Sequence, residues 1–310
     1  MFHRNYLGLE ITRDGLRAVA IQRRGSGVGL SGGQTLKFSD GILVPSVVEP
    51  NVRNPERFVD AVREVLLPLA KKEKRIAVAL PNAAGHLYLL DIDTPFKSHS
   101  EGLDIVRWKL KELLPPKLNR YAVDFQVLEE RESDGKRILA SVLAENVLTQ
   151  YEELLSQAGY SPGLIDFQTF NMYNAYHARI ELGTDFFLVG VDGSQFSLLA
   201  FENRLLDLCR TKTITENPEQ IFQEINRSMV GYRRSHGSMS RTKIHLHTNW
   251  SQPEDLQEAV QAAFEKDVEL LPSPLKSLPG SQRLNVIDAD AKGMATALGV
   301  AERMIQRVSQ

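Results

Sequence analysis

Two distant stretches of this chain are written to one plan, and any fold must accommodate both. In Tyr6–Gln22, apolar Leu7, Leu9 and Ile11 run into a polar turn, Thr12–Arg13–Asp14–Gly15, and Leu16, Ala18 and Ile21 return from it. Period-2 apolar runs on either side of a turn that ends in glycine predict a β-hairpin. In Phe186–Asn203 an apolar strand enters Asp192–Gly193–Ser194–Gln195 and another leaves it. Downstream of each hairpin stands Asn-Pro-Glu, at 54–56 and at 217–219. Asparagine there can cap free N–H groups, and proline at the first helical position gives up an N–H that no helix would use. The first helix presents Phe58, Ala61, Val62, Val65, Leu66 and Leu69, and the second Ile221, Phe222, Ile225, Met229 and Tyr232. A strand follows each helix, Arg75–Leu80 and Thr242–Thr248. Hairpin, further strand, capped helix and strand therefore occur twice, a duplication of far longer period than a solenoid repeat.

The 310 residues suffice for a duplicated pair of lobes, each with its own core. A net charge of −2 leaves no electrostatic footprint for nucleic acid or anionic lipid. The single cysteine, Cys209, excludes an intrachain disulfide and a cysteine zinc cluster, which fits a reducing compartment. No signal peptide and no apolar run of membrane-spanning length is read, so a cytoplasmic protein without direct membrane insertion is expected. The glycine-rich Gly25–Gly33 precedes no helix and is expected to be a flexible connection between strands rather than a phosphate loop. Ala289–Val308 is expected as one last helix. Only Arg303 and Arg307 give it positive charge, and its small residues favour core packing over a membrane foot.

Between the repeats the pattern changes. The expected elements are a strand at His86–Ile92, a helix at Asp104–Leu114, strands at Tyr121–Leu128 and Ile138–Ala144, and a helix at Glu145–Gln157. A strand at Gly163–Phe167 and a helix at Thr169–Ile180 follow. The duplicated hairpins with acidic turns resemble the actin/Hsp70/sugar-kinase architecture. The series RIAVALP at 75–81, Leu113–Leu114–Pro115, VDFQVL at 123–128, the helix closing on Ala158–Gly159–Tyr160–Ser161–Pro162, and Leu164–Ile165–Asp166 narrows the choice. It resembles the inserted subdomain of the PilM family, the actin-like cytoplasmic components of type IV pilus assembly, shared with FtsA and more distantly with GspL. The tail Ala295–Ala301 is similar to that family's terminal helix. The resemblance implies an α/β fold of two actin-like (ribonuclease H-like) lobes, 1–74 with 165–185 and 186–310, around an inserted β-α-β-β-α subdomain at 75–164.

It also implies where a nucleotide would sit. In such proteins two hairpin turns grip phosphates, a carboxylate at the strand end holds hydrated magnesium, and a glycine two residues on admits the anion. Glu10 falls at that carboxylate, Thr12 replaces the glycine, and Arg17 falls where a lysine is usual. The second hairpin fits two registers. Either Asp192 is the carboxylate and Ser194 stands in the glycine's place, or Gly190 takes the carboxylate's place and Asp192 the glycine's. The glycine pair expected after the later strand is absent; the chain reads His247–Thr248–Asn249–Trp250. A degenerate site follows, with no catalytic residue, no metal, and ATP with magnesium disfavoured.

Other chemistry is sparse. His245 and His247 share a strand face but lack a third ligand, and His3, His86, His99, His177 and His236 are scattered. Asp288 and Asp290 read as helix caps. The expected function is a non-enzymatic cytoplasmic scaffold of a pilus or related secretion platform. By resemblance it is held at the inner membrane by the N-terminal tail of a PilN-like membrane protein, beside other platform proteins and the assembly motor. That tail is expected near Val78, Leu80, Leu87, Leu89 and Trp108. The alternatives are a nucleotide-switched actin-like ATPase of pilus assembly or cell division, and a sugar-kinase-like phosphotransferase, which would need a catalytic base and an intact phosphate grip.

Overall fold

β1 (Tyr6–Thr12) and β2 (Gly15–Arg24) form the first hairpin, with Thr12 opposite Gly15 across a two-residue turn. The computed structural model describes residues 4–25, 27–115, 118, 120–131, 135–235, 242–284 and 288–307; His3, His236 and Val308, and the side chains of Asp288 and Arg307, lie outside them. β3 (Gly27–Lys37) extends the hairpin on its outer side, so from Gly27 the glycine-rich stretch is a strand and not the expected flexible connection. Its glycines make room for what packs there: a Cβ at Gly33 would lie 2.8 Å from the sulfur of Met294. β4 (Arg75–Leu80) runs parallel to β1, and β8 (Ser161–Phe167) parallel to β4, which gives the order β3-β2-β1-β4-β8.

The second sheet repeats the plan. β9 (Phe186–Asp192), β10 (Gln195–Glu202), β11 (Leu205–Thr213), β12 (Lys243–Thr248) and β13 (Val268–Leu270) stand in the order β11-β10-β9-β12-β13. α1 (Pro55–Ala70) and α5 (Pro218–Ser235) begin as the caps predict. Asn54 Oδ1 accepts from Arg57 N at 3.2 Å, and Asn217 Oδ1 from Glu219 N at 2.9 Å. Both helices bury the apolar faces read from their spacing, fully at Phe58, Val62 and Leu66 and at Ile221 and Ile225. Burial of each such side chain contributes about 1.5–3 kcal/mol.

β5 (Gly85–Ile92), β6 (Tyr121–Glu130) and β7 (Lys136–Ala144) make a third, antiparallel sheet in the order β5-β7-β6, with α2 (His99–Leu110) and α3 (Glu145–Gln157). α2 starts ahead of the expected Asp104 because Ser98 Oγ caps it, accepting from Glu101 N at 3.2 Å. The expected cuts at 75 and 164 fall inside the first sheet, since β4 and β8 both belong to it; the insertion lies between those two strands. The insertion shares the first lobe's core. Tyr151 on α3 is fully buried, meets the ring of Phe58 at 6.3 Å, and sets its hydroxyl 3.1 Å from Asn51 Oδ1. It also reaches the second lobe, where Arg137 on β7 pairs with Asp207 on β11 at 2.9 Å.

α4 (Gln168–His177) links the lobes, and α6 (Pro253–Phe264) packs beside α5. In place of one last helix there are two, α7 (Asp288–Gly293) and α8 (Ala295–Arg307). α8 lies chiefly against β1, β2, β4 and α4 of the first lobe, although the expected boundary put it in the second; only its start, at Ala295, reaches the second lobe's cluster with Leu188 and Leu199. Ala297, Leu298, Val300 and Ala301 are fully buried there, so the small residues serve core packing.

Candidate functional site

Counting back from the two turns settles the register of the second hairpin. Thr12 faces Gly15 in the first, and Asp192 faces Gln195 in the second. Asp192 therefore occupies the place of Thr12, Gly190 that of Glu10, and Ser197 that of Arg17. The reading that made Asp192 the counterpart of Glu10, with Ser194 in the glycine's place, is overturned by this pairing.

Across the cleft the side chains interlock. Arg17 Nη1 lies 2.7 and 2.8 Å from the carboxylate oxygens of Asp192, 3.1 Å from Glu10 Oε2 and 3.2 Å from the carbonyl of Gly293. A guanidinium from the first lobe thus holds the acid at the tip of the second. Glu10 is 1% exposed and also accepts from Gln168 Nε2 at 2.9 Å. Burial pushes its carboxyl up to about 7, against the pull of Arg17. Burial works on Asp192 in the same sense, but Arg17 and then His247 outweigh it and hold that carboxyl below the ordinary aspartate range.

The groups around this cluster are engaged by the protein itself. Thr12 Oγ1 donates to Gly15 O at 2.9 Å and closes its own turn. Gly193 N donates to Asn249 Oδ1 at 2.8 Å, and the indole of Trp250 donates to Gly193 O at 3.0 Å. Thr248 is fully buried and its hydroxyl accepts from Trp250 N at 3.1 Å. Trp250 packs in the second lobe's core instead of standing free to stack on a base. Ser194, partly exposed at the turn, accepts from Ile214 N through its carbonyl. The hollow left between the hairpins measures 20 Å³, against several hundred for a typical small-ligand pocket. His245 and His247 are both buried. Nε2 of His245 is 2.9 Å from Leu182 O, and Nδ1 of His247 is 2.8 Å from Tyr176 O–H. Among the described residues no group of three or more His, Cys, Asp or Glu is placed to hold a metal ion. Gln168 and Asn249 escaped the sequence reading. Their only signal is a polar side chain just beyond the end of a strand.

A second feature lies beside the insertion. β6 ends the three-stranded sheet and β8 ends the first five-stranded sheet, and both border one hollow of 640 Å³. Phe125–Leu128 on β6, Leu164–Asp166 on β8, Phe170 and Tyr173 on α4 and Phe201 on β10 line it, with Arg204 and Arg303 at its polar part. Arg303 pairs with Asp166 there. Of the residues expected to meet a partner, Leu87 lines this hollow; Leu80 borders a smaller adjoining one of 280 Å³ but, like Val78, is fully buried in the core. Val78 is fully buried in the core and presents no surface. Leu89 is half-buried against the second lobe's cluster, and Trp108, 68% exposed on α2, lines neither hollow.

No family model and no curated protein matches this sequence. Solved structures do. A chain of the "PilM-PilN type IV pilus biogenesis complex" superposes with a TM-score of 0.80 at 19% identity, covering 96% of this chain and 97% of that one. A Bacteroides thetaiotaomicron protein described as having an actin-like ATPase fold and unknown function gives 0.54 at 12% identity, covering 95% and 96%. The chain has the actin-like ATPase fold. The cytoplasmic domain of EpsL, an inner-membrane component of the type II secretion system of Vibrio cholerae, shares the actin-like architecture at a TM-score of 0.52 and 8% identity, covering 95% and 94%. No helix among the described residues is long and apolar enough to cross a membrane.

Proposed function

We propose that this chain is a PilM-like scaffold of a type IV pilus or related secretion platform that works without hydrolysing ATP. The observation that carries the reading is Arg17, whose guanidinium fills the cleft between the hairpins and ties Glu10 to Asp192. A nucleotide would have to displace that ion pair, push a phosphate toward Asp192, and open a 20 Å³ hollow more than tenfold. The whole-length likeness to the PilM–PilN structure supports the pilus assignment.

The scaffold is recruited to the inner membrane by the tail of a PilN-like partner, lying extended in the hollow between β6 and β8. Two strand edges facing one hollow favour this, because an added strand gains main-chain hydrogen bonds from an edge and specificity from alternate side-chain pockets. Two measurements test the proposal. Millimolar ATP with magnesium leaves the melting temperature unchanged, whereas a ligand that binds only the native state raises it; a rise would favour the nucleotide-switched ATPase. Expressed alone, the protein fractionates as soluble, and with its membrane partner it moves to the membrane. Deleting the partner's first dozen or so residues releases it, and retention after that deletion would overturn the recruitment step.

A further inference from the structure

The outer face of α5 carries a cationic cluster that the fold leaves unbalanced. Glu224 on α5 is 1% exposed, and three cations close on its carboxylate: Arg210 Nη2 at 3.2 Å, Lys212 Nζ at 2.5 Å and Arg227 Nη1 at 2.6 Å. One cation would satisfy a single buried carboxylate; three held together repel one another, and two positive charges stand over in the cluster. Each cation keeps 38–61% of its side chain exposed, so the surplus faces solvent. Glu219, the other acid on α5, stands in its first turn. Val230, 58% exposed, and exposed Gly231 follow Arg227 at the three- and four-residue spacing that keeps side chains on one helix face. Glycine inside an exposed helix costs stability relative to alanine, and packing does not call for it here: a Cβ at Gly231 would meet none of the described atoms within 4 Å.

We propose that this face docks a helical segment of a partner protein, acidic along the side it presents. Gly231 lets a second backbone come close, and Val230 offers an apolar contact beside it. Carboxylates three and four residues apart on a helix stand about 5–6 Å from each other, which suits cations gathered round one acid. A phosphoryl group wants donors converging on an empty point. Here the donors converge on Glu224, and their free sides spread across β11 and α5. A lipid surface is opposed by the net charge of −2 and would leave the glycine without a reason. None of these residues lines the cleft between the hairpins or the hollows beside the insertion, so this docking stands or falls apart from the nucleotide and the tail.

The test uses the full chain and a fluorescein-labelled peptide of glutamate, alanine and leucine, acidic along one face. At about 20 residues the peptide is long enough to form a helix alone. A version with lysine in place of glutamate is the control, and vesicles of phosphatidylcholine with phosphatidylglycerol are a separate arm. Wild type binds the acidic peptide, less tightly as salt is raised, and binds neither the lysine version nor the vesicles. Gly231→Leu melts about 2 °C above wild type, because the helix gains a better former in open space, yet binds the peptide about tenfold more weakly. The double variant Arg210→Gln, Arg227→Gln folds, since Lys212 still answers Glu224, and loses affinity to a similar extent. Failure of wild type to bind the acidic peptide, equal binding of the lysine version, or wild-type affinity in both variants overturns the inference. A melting temperature below wild type for Gly231→Leu would show that the face is not open, with the same consequence. Binding to the vesicles without binding to the peptide would assign the face to lipid, and self-association in sedimentation that both variants abolish would assign it to a second copy; either result overturns the partner helix.

Discussion

Where β1 carries Glu10, β9 carries Gly190, and where β1 carries Thr12, β9 carries Asp192, although the two hairpins share one register. The reason lies in what crosses each strand. On the first lobe α8 crosses at Gly8, where a Cβ would sit 2.0 Å from the carbonyl oxygen of Ala297. On the second lobe α4 crosses one pleat nearer the turn, at Gly190, where a Cβ would meet Ser197 Oγ at 2.5 Å and Met172 Cε at 2.8 Å. The first lobe thus keeps position 10 for a side chain and fills it with an acid. The second lobe gives up the matching position to packing, and its acid stands two residues on, at the tip. There it meets Arg17 from the opposite hairpin. Duplicated architecture has come to hold complementary charges, and those charges face each other.

The largest effect expected from breaking that complementarity comes from Arg17. Arg17→Met leaves Glu10 and Asp192 buried without their cation and destabilises the fold by about 3–5 kcal/mol, read from urea denaturation. The triple variant Glu10→Gln, Arg17→Met, Asp192→Asn recovers most of the loss, since uncharged groups at these sites need no counter-ion. A single variant as stable as wild type would mean that the cluster does not join the lobes.

The two crossing glycines differ in how far their neighbours can yield. Gly8→Ala sets a methyl against the backbone of α8 and costs about 3 kcal/mol, because neither strand nor helix can retreat alone. Gly190→Ala meets the ends of Ser197 and Met172, which can change rotamer, and costs about 1–2 kcal/mol. The order of the two midpoints in urea is the test, and a reversed order would refute the account of why the acids are displaced.

Much of this was legible in the chain, and the rest fails for definite reasons. The capped helices at Asn54 and Asn217 announce themselves through local chemistry, and both hairpins through period-2 patterning. The domain edges do not. β4 reads both as the closing strand of the first repeat and, through the RIAVALP resemblance, as the start of the insertion, and its pairing with β1 assigns it to the first lobe. β3 hides behind its glycines, which serve packing from Met294 and not flexibility. Glu10, Arg17 and Asp192 were each visible, but not their meeting, since that contact joins residues far apart in sequence. The register of the second hairpin stayed open for a related cause: Gly190 and Asp192 stand one pleat apart, and only strand pairing says which of them matches Glu10.

Acid–base behaviour separates the two carboxyls. Glu10, lifted to about 7 in the fold from 4.5 in the unfolded chain, keeps a proton that the unfolded chain has lost between those values. Its contribution to stability therefore falls as pH rises through that window and is steady above it. Asp192, held below 3.8, has the opposite sign: its stabilisation is present above that value and is lost as pH falls through the folded one. Of these two carboxyls, only Glu10 titrates between pH 5 and 7.5. Wild type should lose about 2–3 kcal/mol relative to Glu10→Gln over that range, measured by urea denaturation at each pH. A constant gap between the two proteins would show that Glu10 is ionised throughout.

The smallest effect sharpens the comparison at the turns themselves. Gly193 holds a φ of +51°, while neither Arg13 nor Asp14 in the first turn has a positive φ. The second turn alone therefore depends on glycine for its backbone. It is held from beside by Asn249 and Trp250, which grip the N–H and carbonyl of Gly193. Gly193→Ala retains both hydrogen bonds and meets no atom closer than Asp14 Oδ2 at 4.0 Å, so its cost is conformational only, about 1 kcal/mol. Asn249→Ala orphans the N–H and costs a similar amount, about 1–2 kcal/mol. The two substitutions strain the same turn and should not add; the double variant should fall short of their sum by about 0.5 kcal/mol or more in a double-mutant cycle. Strict additivity would mean that the turn is set by its own backbone and owes nothing to the strand end that grips it.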